Sequence, residues 1–125
     1  MPHLPHSIEL HDSLLTEIRR EGACLIFRLS PAYIHRNGKG WSQMAELVVT
    51  GGSGGPVPEQ LPVRISDGRL QTASGPYHNL LMLPLRDDGP VVLEIELASG
   101  SVVRMNGEAA EVRLFGEAEF IEDVA

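Results

Sequence analysis

The residues best suited to molecular recognition fall into two short groups. The first combines an aromatic ring, an imidazole and a guanidinium and ends at the only tryptophan; the second joins an aromatic ring, an imidazole and an amide. Aromatic side chains beside histidine and arginine at loop ends are typical of binding sites, although large aromatics also fill protein cores. The candidate binding residues are therefore Tyr33, His35, Arg36, Trp41, Tyr77, His78 and Asn79.

Metal chemistry has a weaker basis, because the five histidines include no close pair of the His-x-His kind. Two of them lie in the N-terminal tail, so distant strands could gather only His11, His35 and His78 into one site. Without ligand spacing these three are expected to be dispersed polar residues. We predict no metal and no cofactor.

An acid/base unit could be formed by His11 and Asp12, since a carboxylate raises the pKa of a nearby imidazole. Adjacent residues on a strand point to opposite faces, however, and would orient each other poorly. Asp12 is instead expected to hydrogen-bond the backbone at a turn that leads into the first strand.

Carboxylate pairs at i, i+2 have a spacing that a glycosidase-like acid pair could use, but any exposed strand face produces the same spacing. These pairs are Glu94/Glu96 and Glu117/Glu119. The chain contains no G-x-S-x-G, H-E-x-x-H, C-x-x-C or EF-hand pattern, and the glycine-rich stretch 51–60 lacks the Lys-Ser/Thr of a phosphate loop. The sequence therefore favours a protein that is not an enzyme.

The elements that position these residues are predicted to be strands. Turn signals recur at short intervals, and runs rich in Val, Ile and Leu lie between them, which is the pattern of an antiparallel β-sandwich or flattened barrel. About eight to ten strands are expected, with one short helix as an option. They lie near 13–20, 23–30, 43–50, 61–66, 69–73, 78–85, 91–98, 102–106 and 111–122.

Hairpin register is predicted by requiring apolar residues to face each other across two strands. Three loops meet this requirement, at 67–68, 99–101 and 107–110. The second loop, for example, places Leu97 opposite Val103.

The segment 12–21 permits two structures. Leu14 and Ile18 have helical spacing, but a hairpin through Glu21–Gly22 would pair Ile18 with Leu25 and match apolar residues along both strands. We favour the hairpin and retain the helix as the alternative.

Composition predicts one β domain over residues 1–125, with a flexible tail at 1–7 and a flexible loop at 51–60. No apolar run approaches the roughly 20 residues of a membrane span, and residues 1–6 do not resemble a secretory signal. The single cysteine, Cys24, has no partner for an internal disulfide. A cytoplasmic, bacterial-type protein is expected.

The net charge of −7 is concentrated in the last third of the chain. Only Arg104 and Arg113 there oppose eight acids: Glu94, Glu96, Glu108, Glu111, Glu117, Glu119, Glu122 and Asp123. Because nucleic acids and anionic membranes are bound through clustered Lys and Arg, neither is an expected partner. A solvated acidic face is the simplest explanation of this excess.

Four short motifs resemble those of small uncharacterised bacterial all-β domain proteins. They are the opening Leu10-His11-Asp12-Ser13, the turn Arg19-Arg20-Glu21-Gly22 followed by 25–29, the strand from Asn79-Leu80 to Pro84-Leu85, and the ending Gly116-Glu117 with Phe120-Ile121-Glu122-Asp123. Some proteins with a similar Leu-His-Asp opening look like immunity proteins that neutralise a toxin by binding it. The resemblance implies protein recognition and assigns no catalytic residue.

Two functions follow from these observations. The first is a non-enzymatic protein-interaction domain that binds a protein partner or a second copy of itself, through the Tyr33–Trp41 region or the acidic C-terminal strands. The alternative is a small-ligand β-barrel or an enzyme whose site lies near His35, Tyr77 or His78.

Overall fold

A computed structural model describes residues 6–54 and 60–124. Within these residues the chain forms ten strands that pair antiparallel in one continuous sheet. The strands are β1 (Ser7–Glu9), β2 (Leu14–Glu21), β3 (Cys24–Arg36), β4 (Lys39–Thr50), β5 (Ser53–Gly54), β6 (Val63–Thr72), β7 (Gly75–His78), β8 (Leu80–Met82), β9 (Arg86–Leu97) and β10 (Val102–Asp123).

Six strands close into a ring in the order β2–β6–β9–β10–β4–β3, because β2 pairs with both β6 and β3. The seam between β2 and β6 is narrow and consists of the pairs Leu14–Arg64 and Leu15–Val63. Strands β1 and β8 extend the sheet beyond the second half of β3, and β7 lies along β6. This architecture confirms the predicted all-β class, an antiparallel sandwich or flattened barrel.

The barrel interior is filled by the apolar side of each strand. In β9, Val91, Leu93, Ile95 and Leu97 are buried while the residues between them face outward, which is the period of two that a strand imposes. Each of these side chains contributes roughly 1.5–3 kcal/mol of burial free energy. The core therefore supplies a rigid frame on which the outward-facing residues are displayed.

The segment 14–21 is a strand, so the helix alternative is wrong, but the predicted register is wrong as well. Ile18 lies opposite Phe27 instead of Leu25. The turn is made by Gly22 and Ala23, and Gly22 adopts a left-handed φ of 58°, which glycine accommodates without strain. The chain thus turns one residue later than the Glu21–Gly22 pair predicts.

The predicted turn at Asp67–Gly68 does not exist, because β6 runs straight through it to Thr72. Gly68 has a different role: a Cβ at this position would collide with the side chain of Leu10, which is fully buried. Gly68 therefore lets the side chain of Leu10 pack close to the backbone of β6, and it does not mark a turn.

The loops predicted at 99–101 and 107–110 are also corrected. The first closes one residue earlier, with Leu97 N donating to Ser101 O at 2.8 Å, so that Val103 faces Ile95. The second is absent, since β10 continues through Gly107, where a Cβ would collide with Val49. β10 therefore pairs with β9 along one edge, with a bulge between Gly107 and Ala109, and with β4 along the other.

Two predicted flexible segments are described only in part. Residues 1–5 of the tail and 55–59 of the glycine-rich loop lie outside the described residues, whereas Ser7 begins β1 and is fully buried, and Ser53–Gly54 form β5. Across the described ranges we find no helix with the length and apolar character needed to cross a bilayer.

Candidate functional site

The seven candidate binding residues occupy three places in the fold. Tyr33 and His35 lie on one face of β3, and Arg36 and Trp41 lie at the hairpin that joins β3 to β4. The remaining three belong to β7 and to the position that follows it: Tyr77, His78 and Asn79. They do not form one continuous site.

Tyr33 and His35 are two residues apart on a strand and therefore share a face, where their rings meet edge to face at 5.1 Å. The Tyr33 hydroxyl donates to Glu122 Oε1 of β10 at 2.7 Å. His35 Nε2 lies 3.3 Å from Glu9 Oε1 of β1. Three strands are thus joined through side chains at this end of the sheet.

An imidazole bonded to a carboxylate is the arrangement of a general base, but His35 is only 5% exposed. Its Nδ1 is buried and has no hydrogen-bond partner among the described residues. This burial closes the nitrogen to solvent. Through its contact with Glu9, His35 links β3 to β1.

Glu9 also approaches the turn that carries His11 and Asp12, and ligand atoms of these three residues lie within 4.8 Å of one another. Burial raises the pKa of Glu9, and the neighbouring carboxyl of Asp12 raises it further, while the bond to His35 opposes both. Carboxylate and imidazole ligands at this spacing could hold a divalent cation. Asn79 shapes the turn, since its Oδ1 accepts from the backbone N–H of His11 at 2.6 Å.

The aromatic pair at the β3–β4 hairpin connects this end of the sheet to β10. Trp41 meets Phe120 edge to face with ring centroids 5.7 Å apart. Two cations lie over these rings: the guanidinium of Arg36 is 4.5 Å from the Trp41 centroid, and Lys39 Nζ is 5.7 Å from the Phe120 centroid. Trp41 packs partly into the core, whereas Phe120 is 53% exposed.

The last part of β10, residues 113–123, has one free edge, which we call the C-terminal edge. On its other side this stretch pairs with β4 from Arg113 to Asp123, and Gln43 Nε2 of β4 donates to Gly116 O at 3.0 Å. Pairing with β9 stops at Glu111, and the final contact on that side is Val112 N donating to Leu85 O at 3.0 Å. Beyond it no described residue hydrogen-bonds the backbone of 113–123 from the side of β9.

Apolar and acidic side chains alternate irregularly along the C-terminal edge. Phe115, Phe120 and Ile121 are 39%, 53% and 47% exposed. β-Bulges interrupt the pairing with β4 between Phe115 and Glu119 and again between Phe120 and Glu122. An exposed apolar edge of this length is the kind of surface to which another strand can add.

Tyr77 and His78 are among the residues that line a groove away from the C-terminal edge. The groove has a volume of about 390 Å³ and lies on the outer surface of β6, β7, β9 and β10. His78 Nε2 is held 2.9 Å from Asp67 Oδ1, and the Tyr77 hydroxyl lies 3.0 Å from Ser74 Oγ. Asp67 therefore fixes His78 at the groove, whereas the Tyr77 ring, which lies opposite the buried Leu70, packs against the core.

Sequence reasoning missed Phe120 and Ile121 as surface residues. A signal was available, since adjacent residues on a strand point to opposite faces and both cannot enter one core. It also missed Glu9, whose importance depends on the pairing of β1 with β3 and has no signature in the local sequence.

No protein-family model matches the sequence, and neither a curated protein nor a solved structure matches the chain.

Proposed function

We propose that the protein is a non-enzymatic interaction domain that binds an extended, basic segment of a partner protein along the C-terminal edge. The observation that carries the proposal is the free backbone edge of residues 113–123, which pair with β4 on one side only and are interrupted there by two bulges. A partner strand would satisfy these N–H and C=O groups by β-augmentation.

Exposed apolar side chains on the same strand provide the surface that a partner would bury. Phe120 is already oriented by its edge contact with Trp41, so little side-chain entropy would be lost when a partner packs against it. Phe115 and Ile121 extend the apolar surface along the edge. Aromatic side chains of this kind commonly dominate the binding energy of interfaces.

Charge selects the kind of partner. The C-terminal edge carries a single base, Arg113, against Glu117, Glu119, Glu122 and Asp123. Pairing between two copies of the chain would bring acids close to acids, whereas a segment rich in Lys or Arg would be attracted. The acidic side chains thus discourage self-association and favour a basic partner. The immunity-type recognition implied by the sequence resemblance is of the same general kind.

The test uses a fluorescein-labelled peptide of alternating lysine and valine, titrated with the protein while fluorescence anisotropy is recorded. Saturable binding is expected, with amide chemical-shift changes confined to 113–123 and its partner strand β4. Reversing two charges at the edge, Glu117→Lys with Glu119→Lys, should weaken binding by about tenfold or more.

The matched control reverses two acids with the same change in net charge, Glu96→Lys with Glu108→Lys, on the β9–β10 pair and outside the C-terminal edge. Both are exposed and have no side-chain partner among the described residues. Equal weakening by both double variants would reduce the effect to net charge and reject the edge as the site. A peptide with prolines in place of the valines should bind more weakly, by about tenfold or more, because proline removes every second backbone N–H and its ring obstructs pairing along the strand.

A further inference from the structure

The groove on the outer surface of β6, β7 and β9 offers a second binding site that is separate from the C-terminal edge. Its volume of about 390 Å³ is near the lower end of the range for small-molecule pockets. Charged and apolar groups line it together, chiefly Arg69, Gln71, Pro76, Tyr77, Val92 and Arg104.

Among the described residues, the charges in the groove leave one cation without a partner. Glu94 lies between two arginines in the sheet register, opposite Arg69 on β6 and opposite Arg104 on β10. Arg104 Nη1 donates to Glu94 Oε2 at 3.0 Å. Arg69 has no hydrogen bond or ion pair with any described side chain, and its neighbour His78 is already bonded to Asp67. The Arg69 guanidinium can therefore offer its paired N–H donors to an anion.

The apolar part of the groove lies beside this cation. Pro76 and Val92 flank Gln71, which is opposite both of them in the sheet register. Together they form a small non-polar surface next to the guanidinium. A flat apolar group with one anionic substituent matches the arrangement of these side chains.

We infer that the groove binds a small aromatic carboxylate, whose carboxylate pairs with Arg69 and whose ring packs against Pro76 and Val92. The bidentate fit of guanidinium to carboxylate fixes the orientation of the ligand. The narrow volume excludes a folded partner and suits one or two fused rings.

The experiment titrates the protein with 1-naphthoate and follows amide chemical shifts. Saturable shifts are expected on β6, β7 and β9. Arg69→Ala should weaken binding by about tenfold or more, because it removes a charge-assisted hydrogen-bonded pair. Arg64→Ala is the matched control, since Arg64 lies on the same strand, is exposed, and has no side-chain partner among the described residues. It should leave the affinity unchanged.

Two further probes separate the contributions of charge and ring. Neutral 1-naphthalenemethanol should bind more weakly than 1-naphthoate, and inorganic phosphate should shift only residues close to Arg69. The inference would be overturned if Arg69→Ala and Arg64→Ala weakened binding equally, or if 1-naphthoate shifted chiefly the amide signals of residues 113–123. The absence of saturable shifts in this groove up to the solubility limit of 1-naphthoate would also overturn it.

Discussion

The hydroxyl of Tyr33 on β3 reaches across Gly40 of β4 to donate a 2.7 Å hydrogen bond to Glu122 on β10. Gly40 lies opposite Glu122 in the register, and the phenol ring occupies the space that a side chain at position 40 would need. This contact anchors the C-terminal edge to β3 through a side chain.

Tyr33→Phe removes that bond and should lower the free energy of unfolding by about 0.5–1.5 kcal/mol at neutral pH. It should also increase amide hydrogen exchange near Glu122, as measured by NMR, because the end of β10 loses its side-chain anchor. Exchange that is unchanged relative to the wild type would show that the pairing with β4 alone fixes this end.

The stability of the wild type should fall at alkaline pH through Tyr33. Burial, followed by the Glu122 carboxylate, raises the pKa of this phenol above its ordinary value of 10.0. The unfolded chain therefore releases the proton first, so the stabilising contribution is complete below pH 10.0 and is lost as the pH rises above it. Urea unfolding at pH 8 and pH 11 should show a larger loss for the wild type than for Tyr33→Phe, and equal losses would contradict this origin.

Gly40→Ala should destabilise the protein by about 1–3 kcal/mol, because the added methyl group collides with the ring of Tyr33. In a Tyr33→Ala background the same substitution should cost little. A double-mutant cycle measured by urea unfolding tests this coupling. Additive effects of the two substitutions would mean that Gly40 is needed for another reason.

Glu46 is the buried anion of a charge cluster on the outer surface of β4. Its carboxylate accepts from Arg19 at 2.8 Å and lies 3.4 Å from Arg28 Nη1, and its side chain is only 5% exposed. Glu46→Gln should lower the free energy of unfolding by about 1–3 kcal/mol, since two guanidinium groups lose their common counter-ion. The matched control is Glu21→Gln, which also removes a carboxylate bonded to Arg19 but one that is 61% exposed. Chemical denaturation should show a loss below about 1 kcal/mol for the control, and similar losses for both would refute the importance of burial.

Glu9→Gln should raise the stability of the protein relative to the wild type, and this gain should be larger at neutral pH than at acid pH. Burial and the neighbouring Asp12 carboxyl raise the pKa of Glu9, so ionisation of this group in the folded state is unfavourable. For a carboxyl with a raised pKa the destabilisation develops as the pH rises above the unfolded value of 4.5. The gain of the variant over the wild type should therefore grow between pH 4 and pH 7 in thermal unfolding. Glu117→Gln at an exposed position controls for the change in net charge, and an identical pH profile for both variants would contradict the prediction.

Much of the architecture could be read from local patterns. Alternation along 91–97 predicted a strand with one buried face, and the repeated turn signals predicted an antiparallel sandwich or flattened barrel of eight to ten strands. The Asn37–Gly38 pair marked a real turn between β3 and β4. Such patterns succeed because strand periodicity and turn conformations depend on neighbouring residues.

The register of the hairpins, and the reason for a glycine at positions 68 and 107, could not be predicted from local patterns. Asp67–Gly68 and Asn106–Gly107 have the composition of turns, yet both lie inside strands because Gly68 and Gly107 make room for Leu10 and Val49. The local sequence cannot reveal which distant side chain will approach a glycine. Each of these errors displaced a predicted hairpin.

The sequence by itself determined the all-β class, the position of the acidic excess and the residue types available for recognition, since these depend on composition and short-range periodicity. Only the tertiary structure decided that Tyr33 and Trp41 meet the C-terminal part of β10 while Tyr77 and His78 line a different surface. It also decided that residues 113–123 keep a free edge. Both outcomes follow from the closure of the ring. Which strand pairs with each edge of β10 depends on segments that are far apart in the chain.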